Sequence, residues 1–338
     1  MTGQTIGLTS YATALPRLRI GADAYRAAWG QCAARGLRRK AFCAYDEDAV
    51  TLAVAAARRT LARIGAAPSF DALFLGATSL PYEEKPSAAT VLTALTPRRD
   101  IRTVELSGSP QAGLQALVAA WEFCAANPGR HALAIAADAP SAPADAPYEH
   151  GLGAGAAAFL VGPDAAVARF GATASVSRET FGARHRRRGE AALADLELRT
   201  DDVAPVLADL TAGAPDLIRH DRLALGCDAG AARKAMRAFA ATEGTTCRPW
   251  PEIGDAGAAL APLALAGALD EARDGETVLA VAIGAGASAL RLAAGDGLAR
   301  LAGTAPTLAE LSEGGEEVDY IAYLRHRRML SSRFGGTA

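Results

Sequence analysis

The stretch Thr103-Val-Glu-Leu-Ser-Gly-Ser-Pro-Gln-Ala-Gly113 decides how the chain is read. Ile101, Thr103, Val104 and Leu106 have the character of a strand, and the small residues after them make a turn. A long apolar helix pattern then runs through Leu114, Leu117, Val118, Trp121 and Phe123. A strand that turns sharply into a buried helix is an elbow on which enzymes place a nucleophile. The turn exposes one side chain, and the helix start offers N–H groups and a positive dipole end to a developing oxyanion. This elbow carries Ser107, Ser109 and Pro110, and no cysteine.

Working outward, Ile6 to Tyr11 reads as a first strand and Asp23 to Arg35 as a helix. Asp46 to Ile64 is an amphipathic helix with anions at its start and Arg58, Arg59 and Arg63 near its end, which suits the helix dipole. Ala72 to Ala77 is a buried strand, Pro81 to Pro86 a loop, and Ser87 to Leu95 a helix. Asn127-Pro-Gly129 ends the elbow helix, and His131 to Ala137 is a continuous apolar strand. Gly153 to Val161 returns as another strand after a Pro/Ala-rich loop.

The same unit comes twice. Ala112-Gly113 opens a helix that Gly129 closes, and Ala256-Gly257 opens one that Gly275 closes, at offsets of 144 and 146 residues. Each is followed by an apolar strand and a Gly-Ala-Gly return, at Gly153 and at Gly284. This predicts a duplicated α/β fold with pseudo-twofold symmetry. Neither return has the strand–GxGxxG–helix context of a phosphate loop, so tight-turn packing explains both.

The 338 residues carry a formal net charge of −2 and are 50% hydrophobic, which suffices for a large core. A dedicated nucleic-acid binder would show a basic face. No apolar run approaches the ~20 residues that span a bilayer, and no charged-then-apolar leader pattern opens the chain. The five cysteines are scattered without CxxC spacing, which speaks against a disulfide framework or a zinc site and makes a reducing cytoplasm the default. Arg184-His-Arg-Arg-Arg188, inside the polar loop from Glu179 to Arg199, reads as a solvated surface run or as a phosphate contact. Cys124 reads as core, Cys227 as an inert core residue or a nucleophile, and His150 as a surface residue. The tail from Val318 to Leu330 reads as a short amphipathic helix docking on the body, before a Gly-rich end.

Several of these stretches together resemble the thiolase superfamily, in its hydroxymethylglutaryl-CoA synthase branch. Gly7 to Ile20 resembles that branch's opening strand and "(I/L)PR-x-R-I". Asp46-Glu-Asp48 and the helix after it resemble "DEDxxTLAxEAA", and Tyr82-Glu-Glu-Lys-Pro86 resembles "PYxxKPT". Ile253-Gly-Asp-Ala-Gly257 resembles the asparagine loop, Gly284-Ala-Gly-Ala287 the terminal glycine loop, and Tyr320 to Arg328 the closing "YxxYLxxRG". The resemblance covers nearly the whole chain. It implies a thiolase fold, a duplicated five-layer α-β-α-β-α sandwich. The halves would be residues 1–165 and 166–300, with a docking tail at 301–338.

The family chemistry needs an elbow cysteine, a glutamate base, and a histidine and an asparagine in the second half. By resemblance these positions fall at Ser109 or Pro110, at Thr78, near Gly226 or Cys227, and at Asp255. All four have departed from the pattern. A serine without a neighbouring base is a poor nucleophile for a thioester. A proline cannot attack and has no N–H to donate. An aspartate where an oxyanion forms is electrostatically wrong unless it is protonated.

The pattern is similar to the degenerate synthase-like subunit of bacterial phloroglucinol-acetyltransferase-type complexes, which also carry a "GDAG" loop and lack the elbow cysteine. That resemblance implies a non-catalytic subunit that dimerises with itself. It would dock a thiolase-like acyltransferase subunit and a small OB-fold/zinc-ribbon protein. It implies no resident cofactor and no metal, with acyl-CoA or an acyl carrier as substrate. Arg186 and Arg187 are the candidate contacts to its phosphate. Two alternatives stay open. One is an active acyl-CoA-dependent acyltransferase using Ser109 or Cys227 with Asp255. The other is a module that only holds CoA or a carrier arm.

Overall fold

Strands form where apolar residues are continuous or alternate, and helices where they recur every three or four positions. The computed structural model describes residues 5–65, 69–144, 146–163, 166–180, 184–196 and 203–330. The Gly-rich end after Leu330 lies outside them. In chain order the strands are β1 (Gly7–Ala14), β2 (Leu18–Gly21), β3 (Arg39–Phe42), β4 (Ala72–Gly76), β5 (Arg102–Leu106), β6 (Ala132–Asp138), β7 (Gly155–Gly162), β8 (Ala168–Ser177), β9 (Arg222–Gly226), β10 (Thr246–Cys247), β11 (Thr277–Gly284), β12 (Gly286–Ala294) and β13 (Glu316–Glu317). The helices are α1 (Ala22–Trp29), α2 (Ala49–Ala62), α3 (Ser87–Leu95), α4 (Ala112–Ala126), α5 (Val203–Gly213), α6 (Ala229–Ala238), α7 (Trp250–Ile253), α8 (Leu260–Glu271), α9 (Gly297–Leu301), α10 (Leu308–Glu313) and α11 (Tyr320–His326).

Ten strands join in the order β10-β9-β11-β12-β8-β1-β7-β6-β4-β5. From the middle outward, each side runs first, fifth, fourth, second, third strand of its own half, so the two sides are topological copies. They meet at β1 and β8, where Gly7 pairs with Arg169 and Leu8 with Ala168. The two sheets of the sandwich are thus hydrogen-bonded into one at that seam.

Side-chain alternation along the strands sorts the core into three layers. Leu114 and Leu117 of α4 and Leu263 and Leu265 of α8 pack between the half-sheets, against Phe74, Ala134, Phe159, Ala224, Ala280 and Leu290. Their neighbours Leu73, Leu75, Ile135 and Leu160 face the other way, onto α2 and α3. Leu223, Leu225, Leu279 and Val281 face α5 and α6. This is the α-β-α-β-α stacking. Helix α8 is buried on every side from Leu260 to Leu269, which only a helix sandwiched between sheets requires.

Most element boundaries agree with the sequence to within three residues. Asp48 caps α2 by accepting from Thr51 N in a capping box. One helix is shorter than its pattern. Instead of running from Asp23 to Arg35, α1 stops at Trp29, where Gly30 turns left-handed at φ 75°. The freed residues Ala33 and Ala34 line the central cavity instead.

Candidate functional site

The elbow and its repeat in the second half open onto one cavity of about 650 Å³ between the halves. Ser109 and Pro110 line it from the first half, and Cys227, Asp255 and Gly284 from the second. The sequence candidates at the nucleophile, histidine and asparagine positions therefore do converge. Thr78 lies instead in an adjoining cleft with Tyr82, Glu105, Arg186 and Arg188.

At the elbow, Ser109 to Ala112 forms a turn closed by Ala112 N donating to Ser109 O at 2.9 Å. Pro110 sits inside that turn, where its fixed φ fits and its missing N–H removes a donor. The Ser109 hydroxyl accepts from Gln111 N at 3.2 Å and Gln111 Nε2 at 3.4 Å. Both donors come from the same residue, two positions along the turn. Among the described residues lining the cavity there is no histidine and no asparagine, and the one thiol is Cys227.

Cys227 is buried at the end of β9, and burial next to Asp228 pushes its thiol well above the ordinary range. His220, upstream of β9, holds its own chain through Ile218 O at 2.6 Å and lines no part of the cavity.

Asp255 has a cationic partner. Arg184 of the basic run reaches inward and ion-pairs with it, while Asp255 Oδ1 accepts from Gly257 N at 2.9 Å. The aspartate at this position is thus paired with a cation, and Arg184 does not belong to the solvated run. Residues 184–196 form a hairpin-like strap, with His185 and Ala194 exchanging backbone bonds of 2.9 and 2.8 Å. Arg186 donates to Thr78 O at 2.9 Å on the first half, so the strap ties both halves across the cavity mouth. Arg187 is exposed, and its carbonyl closes the strap's turn by accepting from Glu190 N at 3.1 Å.

Sequence reasoning missed the side chains that hold the cavity in shape. Asp138, fully buried at the end of β6, accepts from Thr78 N and Oγ1 (3.0 and 2.7 Å). It also accepts from Ser79 N and Oγ, and from Ala258 N at 2.7 Å in the other half. Gly284 ends β11 at the equivalent position. Asp138 pairs with Gly155 and Gly284 with Gly286, each the first residue of its returning strand. A Cβ on Gly284 would come within 2.6 Å of Ser109 Oγ. Gln111, buried at the start of α4, accepts from Ser288 Oγ at 2.7 Å and donates to Ala285 O at 3.1 Å. A signal existed for Asp138: a lone carboxylate closing a seven-residue apolar strand.

His150 is also corrected. It is 5% exposed, its ring lies tilted by 31° with its centre 4.3 Å from that of Tyr25, and its Nδ1 accepts from Ala33 N at 3.1 Å. Burial lowers its pKa.

Comparison with known proteins gives the fold a family setting. No family model matches the chain. Curated relatives include the hydroxymethylglutaryl-CoA synthases of Methanococcus maripaludis and Methanosphaera stadtmanae. Each is 29% identical and aligns over 95% of this chain and 98% of the relative. The enzyme of that name from Archaeoglobus fulgidus is 35% identical over 52% of each chain. Among solved structures, MvaS in complex with 3-hydroxy-3-methylglutaryl coenzyme A superimposes with a TM-score of 0.81. The identity is 19%, and 96% of this chain and 92% of that one are covered. The curacin biosynthetic pathway HMG synthase in complex with acetyl donor-ACP gives 0.80 at 19% identity, covering 95% and 88%. No helix among the described residues is long and apolar enough to cross a membrane. The chain is a thiolase-fold protein, similar along its length to hydroxymethylglutaryl-CoA synthases.

Proposed function

We propose that this chain is a catalytically degenerate hydroxymethylglutaryl-CoA synthase-like subunit of a cytoplasmic acyltransferase complex. It shapes a thioester cavity but forms no covalent acyl bond. One observation carries the reading. The elbow presents Ser109 and Pro110, the serine oxygen accepts from two N–H donors, and among the described residues no imidazole lines the cavity to take its proton. Acyl transfer then falls to a thiolase-like partner subunit, with a small OB-fold/zinc-ribbon protein bridging the two and this chain present as a dimer. The acyl group arrives on CoA or on a carrier. One similar synthase was solved with acetyl donor-ACP. Arg186 and Arg187, on the strap at the mouth, are where a phosphate would rest.

The test is intact-mass measurement of the isolated chain after incubation with acetyl-CoA. No mass increase is the expected result, and co-expression with its genomic neighbours should yield an active complex. An acetyl adduct mapped to Ser109 or Cys227, with thioester consumption by the isolated chain, overturns the proposal. That outcome establishes the second reading, a working acyltransferase or condensing enzyme. The second reading draws on the full-length similarity to enzymes that carry the synthase name.

A further inference from the structure

A fully buried charged cluster lies behind the cavity wall, and none of the chemistry above uses it. Lys40 on β3 is 0% exposed. Its Nζ donates to Glu149 Oε1 at 2.9 Å, to Glu149 O at 2.7 Å and to Tyr323 Oη at 3.2 Å, which uses all three of its hydrogens. Tyr323 of α11 donates to the same Glu149 oxygen, and Tyr25 of α1 donates to Oε2 at 3.2 Å. The ammonium also sits 5.1 and 4.9 Å from the ring centres of Tyr25 and Tyr323. Four elements far apart in sequence meet at one carboxylate.

Such a cluster is a poor way to gain stability. Taking an ion pair out of water costs several kcal/mol, and a well-packed apolar replacement is often as stable. What it gives is fixed geometry, since every donor in it is paired. The geometry it fixes is the cavity wall. Glu149 belongs to the 3-10 turn Pro147–Gly151, of which Pro147, Tyr148 and Gly151 line the cavity. Gly151 O accepts from Asp255 N at 2.7 Å, and Gly153 N donates to Asp255 O at 3.0 Å. His150 in the same turn holds Ala33 N, beside the Ala33–Ala34 wall. A continuous set of contacts therefore runs from α11 through Glu149 and Gly151 to Asp255, which meets the Arg184 strap at the mouth.

We infer that Lys40, Glu149, Tyr25 and Tyr323 form a positioning clasp, through which the C-terminal helix sets the cavity wall at Gly151 and Asp255 and thereby thioester binding. The thioester part rests on the function proposed above; the wall part does not.

The test uses Tyr323→Phe in the full chain, which keeps the ring and its packing and deletes one hydroxyl. Tyr25→Phe serves as the second variant. Hydrogen exchange by mass spectrometry reads the wall, and acetyl-CoA titration reads binding. The clasp predicts about fivefold faster exchange in peptides covering 147–153 and 250–258, with β6 and α2 unchanged. Wild-type exchange at those peptides overturns it. So does a uniform rise everywhere, because a hydroxyl that only adds stability would raise all peptides together. Acetyl-CoA affinity should fall three- to tenfold, on the order of one lost hydrogen bond. Unchanged affinity with an altered wall overturns the link to binding. If wild type binds no acetyl-CoA, the functional reading fails, while the exchange pattern still decides on the clasp.

Discussion

Arg184 ion-pairs with Asp255 across the mouth of the cavity. This contact turns the aspartate at the asparagine position from an electrostatic obstacle into an anchor for the strap. No residue of 184–196 belongs to the apolar core clusters, and polar contacts tie the strap to both halves. Asp255→Asn is therefore expected to loosen it. Trypsin cleavage at Arg186 to Arg188 should accelerate about threefold or more, since cleavage follows the population of the opened form. Global stability should fall by only about 1 kcal/mol, the scale of a half-exposed pair. Limited proteolysis beside a urea titration checks both.

Asp138→Ala should cost far more. It strands Thr78, Ser79 and Ala258 N–H groups in the interior, and each unsatisfied buried donor costs about 1–3 kcal/mol. A loss of at least about 3 kcal/mol in the urea-derived stability is expected. Asp138→Asn should be intermediate, because one acceptor oxygen remains.

Gly113 on the elbow and Gly284 facing it should respond unequally to an added methyl. At Gly113 a Cβ would lie 1.9 Å from Ala258 O, backbone against backbone, where α4 approaches the loop before α8. At Gly284 it would meet the Ser109 hydroxyl and Pro110. Gly113→Ala is expected to cost more than about 3 kcal/mol, and Gly284→Ala about 1–2 kcal/mol, together with a smaller cavity. Thermal melts of both variants, with acetyl-CoA titration of the second, make the comparison.

Cys227 supplies a pH test. Its folded-state pKa lies above that of the unfolded chain, so its contribution is complete below pH ~9, the unfolded value, and is lost as pH rises further. Between pH 8 and pH 10 the stability difference between wild type and Cys227→Ala should move against wild type, by about 1 kcal/mol. Urea midpoints at the two pH values measure it. Iodoacetamide at pH 8 should leave Cys227 unmodified in the folded protein.

The sequence made local features legible. The elbow shows as a change of period at Leu106, the duplication as two Ala-Gly helix starts, and the cap of α2 as Asp48. The walls of the site were harder to read. Lys40 and Glu149 are 109 residues apart, and Asp138 and Ala258 are 120 apart. No periodicity links such pairs, and a lysine in Arg38-Arg-Lys40 looks like surface. Arg184 was misread for the same reason, because its partner lies 71 residues downstream. His150 was misread because its packing partner Tyr25 comes from α1.

Asp138 and Gly284 occupy the same place in the two copies of the fold, yet one is a carboxylate and the other has no side chain at all. In the first copy that carboxylate stoppers the opening and rivets it to its twin. In the second the bare backbone leaves a vestibule. The two equivalent sockets of the fold therefore serve different ends: one fastens the halves together, and the other lines the chamber between them.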